Sequence, residues 1–385
     1  MVIWLALLIP VITAVVLYVR FRHETLWWEF LIPFGVSILL IALCKFTIET
    51  AQTRDTEYWG GWVSKGEYYE DWNERVSCRH PRSCSHRDSE GNRRHSNDGY
   101  QHSYDVDYHP PYWQVTDSNG IAVSVNSIEF DKLSARFQNR KLVDMHRSFH
   151  TDDGDCYVTD WNQSDATLVP FTSTHSYENR VAVSDSVFNF PEVDPKTYGL
   201  FEYPDIAGYY DCPSILGAGD VSQPDAQRAL SVANAKLGRP KQVRMMILVF
   251  KNQPIQAGFD QQSYWKGGNK NEFVVTVGVD DSNSVQWCHV FSWSDSEQLK
   301  IETRDYVVNQ KTLNLAGVVN WMVPQINAGF VRKEFRQFSY ISIDPPGWAV
   351  FLTFLVVGMI NTGVSWWVIV NEFKEFPSWR GLRLT

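Results

Sequence analysis

The chain has 385 residues, a formal net charge of −9, and 44% hydrophobic and 21% charged residues. That hydrophobic share lets it bury a core and excludes a chain disordered throughout. The acidic balance, without a long basic stripe, excludes the electrostatic footprint of a nucleic-acid binder.

The first element is an uncharged run from Val2 to Val19. A second runs from Phe30 to Cys44 and extends to Leu26–Ile48, with Glu29 and Lys45 near enough to the ends to snorkel. A helix needs about 20 mostly apolar residues to cross the hydrocarbon core. Residues 1–48 are therefore predicted to form a transmembrane hairpin with spans at about 2–19 and 26–48. Trp4, Trp27 and Trp28 lie near run ends, where amphipathic rings favour the headgroup region. The first run has no basic leader and no small-x-small cleavage site, and a second span follows at once, so it does not read as a signal peptide. The short linker Arg20-Phe-Arg22-His23 places the hairpin loop in the cytoplasm by the positive-inside rule. Lys45, Arg54, Arg332, Lys333 and Arg336 pull the other way.

Residues 49–221 read as an aromatic- and loop-rich region containing β-strands. Tyr58, Trp59, Trp62, Tyr68, Tyr69 and Trp72 interleave with Glu57, Glu67, Glu70, Asp71 and Glu74, a mixture suited to a half-buried surface. Ser77 to Asn97 is strongly hydrophilic and predicts an exposed loop. Gly120–Asn126 and Arg180–Ser184 alternate like strands, and Pro191–Pro213 reads as an irregular connection.

Residues 222–344 change character. Helical spacing covers Pro224–Leu237, with Gly238-Arg239-Pro240 as the stop. Val243–Phe250, Glu272–Val279 and Val285–Phe291 are near-continuous apolar strands, and Trp265–Lys270 reads as a loop before the second. Ser294–Gln310 and Leu313–Ala328 are helical again. The order implies a small sheet covered by helices. A third uncharged run from Pro345 to Asn371 opens on two prolines and carries Trp348, Trp366 and Trp367 near its ends. Residues 345–371 are thus a third transmembrane helix, and 372–385 a short basic tail with Lys374, Arg380 and Arg383. The predicted fold class is a membrane protein with three transmembrane helices and a large α+β middle domain. Three spans put the tail beside the hairpin loop in the cytoplasm. The middle domain then faces the periplasm or cell exterior of a multi-pass cell-membrane protein.

Residues 222–345 resemble the TPM-type domain, an extracytoplasmic α/β module of membrane-anchored proteins. The resemblance rests on the strand Met246-Ile-Leu-Val-Phe250, the approach through Gly267-Gly268, and Lys270-Asn271-Glu272 leading into a buried strand. A hairpin at Asp280–Ser284 and a following span complete it. It implies an outward-facing domain and assigns no activity.

Two clusters carry possible metal chemistry. Cys78, His80, Cys84 and His86 supply the N and S ligands that zinc prefers, and a metal would order a loop without a core. Their spacing is not that of a zinc ribbon; in an oxidising compartment Cys78 and Cys84 are expected to form a disulfide instead, and free thiols on an unordered loop are the third reading. Asp105, Asp107 and His109 alternate on one strand face within the 77–109 Cys/His loop. That face either binds a divalent cation or is the solvent side of an edge strand ended by prolines. Asp152–Asp155 lacks the calcium-loop spacing and reads as a turn. Cys156, Cys212 and Cys288 are scattered, and any two can pair. His289 belongs to a buried strand as a structural residue.

No Ser-His-Asp order, Gly-x-Ser-x-Gly elbow, His-Glu-x-x-His motif or nucleotide fingerprint is present, so no catalytic residue and no resident cofactor are assigned. The spans hold no acidic or basic residue at mid-depth, which argues against transport by these helices alone. Gly358, Thr362 and Ser365 make a small-residue face for helix packing. The expected function is a membrane-anchored, non-enzymatic interaction or assembly module. Its expected partners are the lipid bilayer and either another protein or copies of the same chain. The alternative is a metal-binding enzyme or sensor at Cys78–His86 or Asp105–His109.

Overall fold

The computed structural model describes residues 2–20, 27–76, 85–87, 93–95, 105–134, 140–147, 150–160, 167–184, 190–206, 213–217 and 224–371. The chain divides into two units.

The first unit comprises residues 1–56, 176–191 and 334–385. A 3-10 turn over Val2–Leu7 leads into α1 (Leu8–Arg20). Another over Trp27–Phe30 leads into α2 (Leu31–Thr53). Pro10 and Pro33 fall in the first turns of these helices, where a missing N–H costs little. A late helix, Gly347–Asn371, follows Pro345-Pro346. All three are long and apolar enough to cross a membrane. The second lies a few residues further along the chain than the 26–48 predicted. It absorbs Lys45 and Glu49 as an i,i+4 ion pair at 3.5 Å near its end.

The three helices pack through Ala6, Ile41 and Val357. Beside this core Asn361 is fully buried, and its amide donates to Ser37 Oγ (3.1 Å) and the Pro33 carbonyl (3.3 Å). In the same unit Arg180–Ser184, expected as a strand, is a turn. Asn179 captures the Ala182 N–H through its side-chain oxygen (3.0 Å), and the Ser184 N–H closes on the Val181 carbonyl. A local side-chain acceptor outcompetes a ladder here.

The second unit comprises residues 57–175 and 192–333 and holds four sheets among the described residues. Its first half is built on β1 (Arg54–Tyr69), which continues into β2 (Trp72–Val76). After β3 (Ser85–Arg87) and β4 (Arg93–His95), which pair with each other, come β5 (Asp105–His109), β6 (Tyr112–Asp117) and β7 (Ala122–Val125). Then follow α3 (Ser127–Ser134), β8 (Arg140–Val143), β9 (His150–Asp152), β10 (Cys156–Asp160) and β11 (Pro170–Glu178). The six-stranded sheet runs β7-β6-β1-β10-β8, with β11 also on β1. A three-stranded sheet runs β5-β2-β9. Val63, Val115, Val125, Val169 and Phe171 close on Phe130 and Leu133 of α3.

The second half runs β12 (Ile215–Leu216), α4 (Pro224–Lys241), β13 (Arg244–Lys251), α5 (Gln256–Tyr264), β14 (Glu272–Val279) and β15 (Val285–Ser292), then α6 (Glu297–Val308) and α7 (Leu315–Gly329); the Gly347–Asn371 helix is α8. The sheet order is β12-β13-β14-β15, parallel across the first three and antiparallel at β15. Met245, Ile247, Val275 and Val277 pack on one face with Leu230 of α4 and Val318 and Met322 of α7. Met246, Leu248, Phe250 and Val274 fill the other with Leu200 and Ala257. Burial on both faces explains the uninterrupted apolar strands. The crossover between β13 and β14 contains α5, and Trp265–Lys270 after it is the expected loop.

A buried polar seam between the two sheets as candidate functional site

The two halves of the second unit meet without a clean apolar interface. Strand β1 crosses helix α4 backbone to backbone. A Cβ on Gly60 would lie 2.1 Å from the Asn234 carbonyl oxygen, and one on Gly238 would lie 2.1 Å from the Gly60 carbonyl oxygen. Only glycine permits so close an approach. Asn234 bridges onward: its amide oxygen accepts from the Met245 N–H (2.7 Å), and its amide nitrogen donates to the Met245 carbonyl (2.9 Å).

Around this crossing the polar groups fall into two clusters. The first is centred on Glu57, which is 3% exposed. Arg332 Nη2 donates to both carboxylate oxygens (2.5 and 2.6 Å), and Lys270 Nζ stands 3.3 Å from one of them. The Arg332 guanidinium also lies over the Trp59 ring at 5.8 Å, a cation–π approach. Trp59 stacks on His175 with centroids 3.9 Å apart, and His175 Nε2 meets Ser173 Oγ at 3.1 Å. Burial lowers the His175 pKa, with the Glu57 and Asp117 carboxylates opposing. A neutral imidazole suits a site already holding Arg332 and Lys270. Ser173 is buried, so the Ser–His contact does not present a nucleophile to solvent.

The second cluster opens the parallel strands. Arg244 and Glu272, the first residues of β13 and β14, are in register. Both are buried. The Tyr203 hydroxyl donates to the Glu272 carboxylate, and the Asn269 backbone N–H donates to it at 2.9 Å. Burial raises the Glu272 pKa, with Tyr203, Asn269 and Arg244 opposing; burial, then the carboxylate beside it, holds the Tyr203 phenol well above its ordinary value. Tyr203 stacks on Tyr58 (5.9 Å), and the Asn271 amide donates to the Tyr58 carbonyl (2.7 Å). Arg244 reaches Thr172 Oγ1 through Nη1 at 3.4 Å. Glu57 thus pairs inside the seam with cations far from it in the chain, whereas Glu272 is held by Tyr203 and Asn269, and Arg244 Nε and Nη2 have no hydrogen-bond partner among the described residues. That is the chemistry of a junction between two half-domains.

The residues singled out from sequence lie elsewhere. Cys78, His80 and Cys84 fall outside the described residues, as do the side chains of His86 and Asp105; the proposed Cys78–Cys84 disulfide falls there too. Asp107 and His109 sit on β5 opposite Glu74 and Trp72 of β2. His109 Nε2 meets Glu74 Oε2 at 2.9 Å and stacks on Trp72 at 4.3 Å. Among the described residues no three His, Cys, Asp or Glu side chains come together as a metal site. Cys156 and Cys288 are buried free thiols. His289 contacts Gln262 Oε1 through Nε2 (2.8 Å) and packs on Phe259. On α8, Ser365 is buried, Thr362 is exposed, and a Cβ on Gly358 would lie 4.0 Å from Ile9 Cδ1. Comparison with family models, curated proteins and solved structures gives no match.

The seam was not among the sequence-derived candidates. Its one signal was a charged residue opening each of two apolar strands, Arg244 and Glu272, where a fully buried strand has no use for a solvated end.

Proposed function

We propose that this chain is a multi-pass membrane protein whose middle domain faces the extracytoplasmic side and works as a non-enzymatic interaction or assembly module. The observation that carries the membrane part is the surface of the three apolar helices. Leu39 is 70%, Phe46 67% and Trp366 70% exposed. A helical surface this apolar is favourable against lipid and costly against water. The basic linker at Arg20–His23 and the basic tail support an inward position for both, and so an outward domain. The resemblance of residues 222–345 to TPM-type domains supports the same side.

The module reading is supported by the way polar groups are used. In the seam, charged side chains are spent on joining two half-domains. Apolar side chains, by contrast, lie open on the sheet strands β5 and β8, where a partner can reach them. The test is the mass of the full chain extracted from its native membrane into lipid nanodiscs. A module gives particles heavier than one 44.4 kDa chain, through added copies or a stoichiometric partner protein. Particles holding one chain and no second protein would overturn the reading. Zinc content, with intact mass before and after reduction, decides the metal alternative. One zinc per chain with Cys78 and Cys84 both free would favour a metal-binding sensor over the disulfide.

A further inference from the structure

We propose that the seam between the two half-domains binds one small monovalent anion, a halide or an ion of that size, on the side-on edge of the Arg244 guanidinium. The site goes beyond the module reading and is independent of the side of a membrane on which the domain lies.

Arg244 opens β13 and is fixed there by its backbone. Its N–H donates to the Asn271 carbonyl (2.8 Å), and the residue stands in register with Glu272 of β14. The side chain is 2% exposed and runs into the seam, where Nη1 reaches Thr172 Oγ1 of β11 at 3.4 Å. Nε and Nη2, which form the other edge of the guanidinium, are buried and have no hydrogen-bond partner among the described residues. The carboxylate in register does not take them. Glu272 Oε1 accepts from the Tyr203 hydroxyl and from the Asn269 amide (3.2 Å), and Oε2 accepts from the Asn269 backbone N–H (2.9 Å).

A buried guanidinium without an acceptor costs both its hydrogen bonds and the desolvation of its charge. A water molecule returns the hydrogen bonds alone, whereas an anion returns the hydrogen bonds and the counter-charge. The rest of the seam makes the same demand. Among the described residues three buried side-chain N–H groups lack an acceptor: Arg244 Nε, Arg244 Nη2 and Trp59 Nε1. All three belong to the seam, for Trp59 follows Tyr58, whose carbonyl holds the Asn271 amide at 2.7 Å. Asn271 Oδ1 is unpartnered as well and meets none of the three.

The geometry also sets the size of the ligand. Nε and Nη2 carry parallel N–H groups, which grip a single ion or two oxygens side-on. One residue beyond Trp59, β1 crosses α4 backbone to backbone at Gly60 and Gly238, which holds the two halves too close for a bulky or flexible ligand. An ion gripped there counters a charge on the second half at its contact with the first, so the stability of the junction follows its concentration.

The test is thermal melting of the full chain in detergent, read by tryptophan fluorescence, as sodium chloride replaces sodium gluconate at constant ionic strength. Gluconate is too large for the site. The parent's midpoint should rise and saturate with chloride, standing about five to ten degrees above its gluconate value at a hundredfold the half-saturating concentration. Arg244→Met should melt alike in both salts, below the parent in chloride and at or above it in gluconate, where the uncompensated charge has been removed. A parent indifferent to chloride, or a variant that responds as the parent does, would overturn the proposal. Crystals of the parent grown with bromide give a reading that needs no variant. An anomalous peak beside Arg244 Nε and Nη2 is the expected result, and no peak there at saturating bromide would overturn the site. Neither failure touches the module reading, which rests on the mass of the membrane-extracted particle.

Discussion

Replacing Glu57 by glutamine should be among the most damaging conservative substitutions in this protein. The carboxylate is 3% exposed and holds Arg332 at 2.5 and 2.6 Å and Lys270 at 3.3 Å. The side chains of Arg332 and Lys270 are themselves only 19% and 13% exposed. A glutamine amide keeps the shape and can accept one hydrogen bond, but two cations then share the seam with no counter-charge. Breaking a buried pair by removing one partner costs about 3–5 kcal/mol. Residual solvent at Arg332 places this case near the low end, about 3 kcal/mol. For a domain of this size each kcal/mol moves the midpoint by about 2–4 °C, so the melt should fall by about ten degrees. Tryptophan fluorescence of the purified chain on heating reads it. Arg332→Met together with Glu57→Gln should recover part of the loss, because the orphaned guanidinium is gone. A Glu57→Gln melt within a degree or so of the parent would refute the account of the seam.

The glycine crossing makes a sharper steric case. Gly60→Ala drives a methyl against the Asn234 carbonyl and should cost about 1–3 kcal/mol, while Gly329→Ala, with nothing within 4 Å, serves as a near-neutral control in the same melt. His289 sets a pH dependence. Burial, with Lys300 nearby, takes its pKa from 6.5 down to about 4, so the unfolded chain takes up that proton first as pH falls. Its contribution is whole above about pH 6.5 and is lost progressively toward pH 4. His289→Asn should flatten denaturant midpoints across that window. Glu272, raised by burial, slopes the other way above its unfolded value, and comparing parent with variant isolates His289. Burial pushes the Cys288 thiol up to about 12, so alkylation at pH 8 should modify it only after denaturant is added.

Much of the architecture could be read from residue order because its signals are local. Uncharged runs with prolines at their starts mark α1, α2 and α8. Apolar strands without alternation mark β13 and β14, both packed on two faces. What was missed depended on distance or context. α5 has no apolar stripe: it buries only Ala257, Gly258 and Gln261, and Gly258 is there because Thr276 and Trp287 leave no room for a Cβ. The alternation at Arg180–Ser184 imitated a strand until the Asn179 side chain closed a turn. Asn361 carries no charge to mark it within its uncharged run, although a neutral amide pins helices in an apolar bundle just as well. Glu57 and Arg332 are 275 positions apart, and no periodicity links them.

Whether the middle domain is presented on the far side of a membrane from the hairpin loop is the point on which the functional account turns. Thiol labelling of intact cells addresses it directly. Cys78, Cys84 and Cys212 are first replaced by serine, leaving the buried Cys156 and Cys288 and the half-buried Cys44 of α2. Single cysteines are then placed at Arg22, at Ser378, and at Ile128, which is 66% exposed on α3. A membrane-impermeant maleimide should modify the Ile128→Cys protein on intact cells, and the Arg22→Cys and Ser378→Cys proteins only after the membrane is opened. Labelling at Arg22→Cys and Ser378→Cys on intact cells, with Ile128→Cys protected until lysis, would put the domain in the cytoplasm and contradict the account.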